Sequence, residues 1–271
     1  MHPCVIDNRH GEPQKSFVKN NTDIYICSIC KCVMADIDFN KNQYENEEYY
    51  TMNKKDLTEI ETKWGLRWRH FLNTIKKNSK TGIVKLLDVG AGNGYFIKLA
   101  ADEFGYDAKG IGISEKEIKF AREITGVNIS LEDINDHRSN YDIVTCFNVI
   151  EHVVYPRSFI KALADRVLPE GLLVLSTPNP TCLRARLRGL KRWERVDPPH
   201  HINLFPKKAL LPLLKEFNLF ELNYETMSTY ITLVNRQNFF MRNLFFELLK
   251  IFNLGADHFI IAKKILDPDR H

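Results

Sequence analysis

Between residues 84 and 178 the chain alternates short, continuous apolar runs with longer stretches whose apolar positions recur every three or four residues. The apolar runs are Val84–Val89, Lys109–Ile113, Val127–Leu131, Tyr141–Phe147 and Leu172–Ser176. Each reads as a strand buried on both faces. Tyr95–Phe104, Ser114–Arg122 and Pro156–Leu168 carry the helical period, the last with proline at its first position. Strand and helix in turn predict a mostly parallel sheet with helices on both faces. A helix over Pro206–Phe217, a strand near Phe220–Tyr224 and a last strand at His258–Ala262 are expected to complete it.

Upstream, Leu57, Ile60, Trp64, Trp68, Phe71, Leu72 and Ile75 form one stripe of a helix running from Asp56 towards Lys77. That stripe reads as plain core, docking the helix on the sheet; the tyrosines Tyr44, Tyr49 and Tyr50 precede it, as candidates for part of a cover over a ligand. Residues 1–50 are polar and Asn-rich, with Ile24, Tyr25 and Ile26 as a short strand candidate. The organisation expected is an N-terminal segment over residues 1–50, a linking helix over 51–80 and a main domain over 81–271. Two insertions interrupt that domain, at 181–205 and 227–255.

The turn after the first strand carries the chemistry. Asp88 stands near the strand end and glycines follow at alternate positions, Gly90, Gly92 and Gly94. Strand, glycine turn and helix together let the backbone approach a ligand at a helix start. A dinucleotide fingerprint needs glycine at the first, third and sixth loop positions. Here the fifth is Gly94 and the sixth is Tyr95. The spacing D-x-G-x-G-x-G resembles instead motif I of the class I S-adenosylmethionine (SAM) methyltransferases.

Three further blocks agree with it in order: Gly110-Ile-Gly-Ile-Ser114, Cys146-Phe-Asn-Val-Ile-Glu-His152 with Pro156, and Leu168 to Pro180. With His200-His-Ile-Asn-Leu-Phe205, they resemble the group containing ubiquinone-pathway O-methyltransferases and glycan-cluster enzymes, over roughly residues 80–265. The resemblance implies a Rossmann-like class I methyltransferase fold with a seven-stranded sheet, SAM as cofactor, and methyl transfer to a hydroxyl. The acceptor would be a glycan, nucleotide sugar or lipid-linked intermediate; a quinone or phenol, or a SAM-binding scaffold without turnover, are the alternatives.

It also implies roles for single residues. Gly90, Gly92 and Gly94 would face the cofactor, and Asp88 would stand near its ammonium group or brace the loop. Asp133 would take the adenine amino group with Ile134 beside it, and Phe147 would line the cofactor site. Relatives end the second strand with an acid for the ribose; this chain has Gly112. Glu117 is one replacement, although Ser114-x-x-Glu117 is equally a capping box. His152 is the candidate base, with a pKa expected near neutrality, and His200 and His201 are its rivals.

Cysteine usage adds one more site. Four of the six cysteines lie in the first 32 residues, and Cys27-x-x-Cys30 has zinc-knuckle spacing. Cys4, Cys27 and Cys30 would hold a structural zinc with a fourth ligand from His2, His10 or Cys32, or else a metal-free hairpin stands there. Asp7 occupies the place where a second cysteine of a ribbon pair would be.

Composition changes the picture little. The net charge of +4 over 271 residues is mild, and 44% hydrophobic with 27% charged residues suits a globular protein. The start Met1-His-Pro-Cys-Val-Ile-Asp7 has no apolar leader, so a cytoplasmic protein is expected. Arg184, Arg186, Arg188, Lys191, Arg192 and Arg195 face only Glu194 and Asp197 in one insertion. That run is a solvated surface, a phosphate site or a peripheral membrane contact. The apolar stretch Phe239–Leu254 is too interrupted to span a bilayer and reads as a buried or homodimer helix, or as one lying in a membrane interface. Nothing resembles a nucleic-acid-reading module.

Overall fold

The computed structural model describes residues 4–37, 56–80, 82–228 and 247–265. His2, the three tyrosines Tyr44, Tyr49 and Tyr50, and residues 239–246 of the apolar Phe239–Leu254 stretch lie outside the described residues.

Three strands open the chain: β1 (Gln14–Lys19), β2 (Thr22–Ile26) and β3 (Val33–Ala35). Helix α1 (Leu57–Asn78) follows, and Asp56 caps it by accepting from the Glu59 N–H at 2.8 Å. The alternation then appears as expected: β4 (Lys85–Val89), α2 (Tyr95–Asp102), β5 (Asp107–Gly112), α3 (Glu115–Thr125), β6 (Ile129–Leu131), β7 (Tyr141–Phe147), α4 (Pro156–Arg166) and β8 (Val167–Pro178). The last part comprises α5 (Leu183–Arg188), β9 (Asn203–Leu204), α6 (Lys207–Lys215), β10 (Leu219–Met227) and β11 (Asp257–Lys264).

Seven strands form one sheet in the order β10-β11-β8-β7-β4-β5-β6. The pairs β4–β5, β4–β7 and β5–β6 are parallel. Leu86, Leu87, Ile143 and Val144 are fully buried, as a sheet covered on both faces requires. Helix α2 packs on β5 and α3 on β6, meeting through Ala91, Ile97, Ala121 and Ile129.

The strand β8 is longer than the run Leu172–Ser176 suggested, and β6 begins two residues later than expected. The basic insertion contains α5, the one-turn helix Leu190–Arg192 and β9.

Strands β1, β2, β3 and β9 make a second, four-stranded sheet. Here β3 pairs antiparallel with β9, Val33 opposite Leu204 and Met34 opposite Asn203. Ile24, Val33, Cys182, Ala185, Trp193, Val196 and Leu204 form its buried cluster. The N-terminal strands and the basic insertion therefore share one core.

The chain divides into two compact units. One comprises Met1–Phe39, Asn148–Ile160 and Leu175–Ala262; the other comprises Asn40–Phe147, Lys161–Val174 and Lys263–His271. No helix among the described residues is long and apolar enough to cross a membrane.

Candidate functional site

The glycine turn belongs to the second of these units. Gly90 and Ala91 donate to the Ile111 carbonyl at 3.0 and 3.2 Å, tying the turn to β5. Gly94 has φ +72°, and a Cβ there would collide with Val127, so glycine is required by both conformation and packing. Gly92 has φ +53° with no atom within 4 Å of where a Cβ would sit. Its backbone faces open space, which is the cradle a close-lying ligand needs.

Asp88 is 3% exposed at the end of β4 and accepts from the Thr145 hydroxyl at 2.7 Å. Burial raises its pKa to about 7, with the Thr145 bond opposing. A carboxyl group so placed is poised to ionise beside a cation.

Position 112 is not forced to be glycine. A Cβ there would meet only Ile129, at an ordinary 3.9 Å. Ser114 caps α3: the Glu117 N–H donates to Ser114 Oγ at 3.3 Å. Asp133 accepts from the Asn135 backbone and side-chain amides at 2.8 and 2.7 Å, and Ile134 beside it is buried. Phe147, at the end of β7, is enclosed by Trp68, Phe71 and Phe96 at centroid distances of 5.1, 5.3 and 4.8 Å. Trp68 thus belongs with the residues that shape this end of β7, although its helical stripe alone read as plain core.

The histidines lie in the other unit. His152 ends the one-turn helix Ile150–His152, and its Nδ1 donates to the His200 carbonyl at 2.6 Å. His201 donates from Nδ1 to the Arg195 carbonyl at 2.7 Å. The two rings meet edge to face with centroids 5.0 Å apart. Burial, rather than a charge partner, dominates both, lowering the pKa of His152 to about 4 and of His201 to about 3. The near-neutral pKa expected of His152 is therefore corrected, because desolvation disfavours the imidazolium.

Glu151 joins this group. It is fully buried, Oε2 accepts from Thr177 at 3.0 Å, and Oε1 has no hydrogen-bond partner. Desolvation raises its pKa to about 8. The ligand-type atoms of Glu151, His152 and His201 lie within 4.8 Å of one another. Asn148, which sequence reasoning passed over, precedes them with φ +54° and accepts from the Ser176 hydroxyl at 3.0 Å. A left-handed asparagine at a strand end is the signal that could have found it.

The cysteines converge as well. Cys4, His10, Cys27 and Cys30 place one ligand-type atom each within 4.8 Å of all the others. Cys4 Sγ lies 3.5 Å from Cys30 Sγ and 3.6 Å from His10 Nδ1, which is 3.8 Å from Cys27 Sγ. Bond lengths of about 2.3 Å to sulfur and about 2.0 Å to nitrogen in a tetrahedron require edges of roughly 3.5–3.8 Å. These three separations match such edges, and His10, not Cys32, is the fourth member of the group. Asp7 explains the departure from a cysteine pair: it caps the one-turn helix Asn8–His10 that delivers His10.

In the basic insertion, Arg184 pairs with Glu194 at 3.1 Å and Arg195 with Asp257 at 3.7 Å, while Arg186, Arg188, Lys191 and Arg192 are exposed. Of the described end of the apolar stretch, Leu249 is buried, and Leu248, Ile251 and Phe252 are exposed.

Comparison with known proteins gives concordant results. A curated relative, a ubiquinone biosynthesis O-methyltransferase from Shewanella sp. (strain ANA-3), is 35% identical over 138 residues, which are 44% of this chain and 58% of the relative. The chain thus matches little more than half the length of that relative. Among solved structures, a SAM-dependent methyltransferase from Archaeoglobus fulgidus aligns with a TM-score of 0.53 at 22% identity, covering 73% of this chain and 92% of its own. Magnesium protoporphyrin IX methyltransferase from Synechocystis, with bound SAH, aligns at 0.55 and 16% identity, covering 76% and 86%. At such identities these two establish the fold. The model of the methyltransferase domain family matches residues 59–221, more than half the chain and inclusive of the glycine turn and both histidine segments, so this chain belongs to the methyltransferase domain family.

Proposed function

We propose that the protein is a SAM-dependent methyltransferase acting on a hydroxyl of a small acceptor. The observation that carries this is the turn at Gly92, whose left-handed backbone opens onto free space beside the buried Asp88. In this reading Gly90 and Gly92 hold the methionine half of the cofactor, and Asp88 stands near its ammonium group. Asp133 and Ile134 hold the adenine, and Phe147 closes the site with Trp68 behind it. The cofactor, when bound, supplies an already activated methyl group. The protein then has to bind, orient, exclude water and remove a proton.

His152 is the base in this reading. A carbonyl can only accept, so the bond to His200 fixes the proton on Nδ1 and makes Nε2 the basic nitrogen. His201, held in the same tautomer by Arg195, is its partner. The relatives named as ubiquinone biosynthesis O-methyltransferases support oxygen as the acceptor atom. The acceptor class is a glycan, nucleotide sugar or lipid-linked intermediate, or a quinone or phenol.

A structural zinc at Cys4, His10, Cys27 and Cys30 accompanies this activity. Its support is the convergence of four ligand atoms within 4.8 Å of one another, three of them on buried cysteines.

Titration calorimetry tests the cofactor. The protein should bind SAM and its demethylated product, and Gly92→Val should weaken both by at least ~100-fold, since the side chain would fill the cradle. Unchanged SAM affinity in that variant, or NADH binding by the parent, would overturn the reading.

A further inference from the structure

The residues that follow each histidine wall a cavity. Val154, two positions after His152, and Ile202, directly after His201, line a space of about 480 Å³. Its facing wall is N-terminal, with Tyr25 from β2, Met34 from β3 and Ile37 just beyond. All of these residues belong to one compact unit, and none belongs to the glycine turn.

We infer that this cavity binds an uncharged hydroxyl compound with an apolar body, and that under the proposed activity this compound is the methyl acceptor. The volume lies within the range of small-molecule sites, ~300–1,000 Å³. The floor is apolar: Met34 and Ile202 are 7% and 5% exposed, and Pro13 and Pro156 are buried.

Three polar side chains of the wall, Asn203, Ser158 and Arg157, are already engaged within the protein. Asn203 Nδ2 donates to the Val153 carbonyl at 2.7 Å, and Ser158 Oγ to the Tyr155 carbonyl at 2.9 Å. Arg157 is the one cation among the described lining residues. It is paired with Glu216 and donates to the Ile6 carbonyl at 3.2 Å. Asp36, on the exposed rim, adds a negative charge.

A phosphate entering here would lose its hydration, meet a cation already neutralised, and face a carboxylate. A sugar carries several hydroxyls, each of which needs a partner on burial. An aromatic or alicyclic body with a single hydroxyl needs one. The cavity therefore separates the acceptor classes that the fold leaves together.

The role as acceptor site rests on the methyltransferase reading; the binding chemistry does not. The test uses protein labelled with ¹³C at methionine methyls and three probes: 1-naphthol, methyl glucoside and UDP-glucose. In the parent, 1-naphthol should shift the Met34 methyl resonance saturably, and the other two should leave it unmoved at equal concentration. Val154→Trp and, at an exposed wall position that spares the core, Ser158→Trp should each weaken 1-naphthol binding at least ~10-fold by filling the space. SAM affinity should stay within a few-fold, which reports that the chain is folded. The inference is overturned if 1-naphthol leaves Met34 unmoved, if either folded variant binds it as the parent does, or if methyl glucoside or UDP-glucose shifts Met34 more strongly. Loss of SAM binding in the parent would instead strike the methyltransferase reading and leave the cavity result standing.

Discussion

The imidazole of His152 is held by the backbone of His200, 48 residues further along the chain, through a 2.6 Å hydrogen bond from Nδ1 to the carbonyl oxygen. One histidine thereby orients the other through its main chain, not its ring. This arrangement fixes the tautomer, and it makes the pH response specific if His152 is the base, as proposed. With the pKa lowered by burial to about 4, His152 is neutral and basic from pH 4 upwards. Turnover should therefore not fall between pH 7 and 5, as it would for an exposed histidine, but only as pH drops towards 4. His152→Ala should lower kcat by about a hundred- to ten-thousand-fold, with SAM affinity unchanged. Turnover within a few-fold of the parent would transfer the role of base to His201.

Gly112 offers a gain-of-affinity experiment. A Cβ fits there at ordinary contact distance from Ile129. Gly112→Asp should place a carboxylate at the end of β5, where the sequence resemblance expects an acid for the ribose. Two hydrogen bonds to a charged acceptor would tighten SAM binding about 10-fold, at the modest end of such bonds. Calorimetry showing equal or weaker binding would mean that the ribose does not lie at that strand end.

The Cys4–His10–Cys27–Cys30 cluster predicts a metal and a dependency. Freshly purified protein should contain close to one equivalent of zinc by elemental analysis. Chelation, or Cys27→Ser, should lower the melting temperature and abolish 1-naphthol binding, because Tyr25 and Met34 stand on the strands that the cluster ties together. SAM affinity, which the proposed reading assigns to residues of the other unit, should change little. Zinc-free protein with an intact cavity would leave the cluster as a set of packed thiols.

Glu151 predicts a stability profile with a defined sign. Its folded pKa, about 8, lies above the ordinary carboxylate value of 4.5. Between those values the folded state holds a proton that the unfolded state has released, so this group costs stability progressively as pH rises from 4.5 to 8. Glu151→Gln removes the cost. The variant should melt at the parent's temperature near pH 4.5 and above it at pH 8, by on the order of 5 °C. Thermal melts showing a pH-independent difference would mean that Glu151 is ionised in the fold.

Much of the molecule was readable from the pattern of apolar positions. β7 spans Tyr141–Phe147, as its apolar run indicated, and Asp56 caps α1 where the stripe begins. These elements are long, or buried on both faces, so their periodicity is unambiguous. β9 was not legible: two residues have no period, and their partner, β3, lies about 170 positions earlier in the chain. Sequence alone offered His2, His10 and Cys32 for the fourth ligand position, and only the one-turn helix capped by Asp7 brings His10 to the other three. The pKa of His152 was missed for a similar reason. Desolvation depends on what covers a ring, and the covering segment, Arg195 to His201, is remote in sequence.

The pairing of β3 with β9 also orders events during synthesis. The N-terminal strands leave the ribosome first, yet Val33 and Met34 meet Leu204 and Asn203 only after those residues have been made. At ~5–20 residues per second, the unpaired side of β3 waits on the order of ten seconds or more. Through that interval the edge is open to association with other chains. An ion captured early by Cys4, His10, Cys27 and Cys30 would hold the nascent strands in register until their last partner arrives.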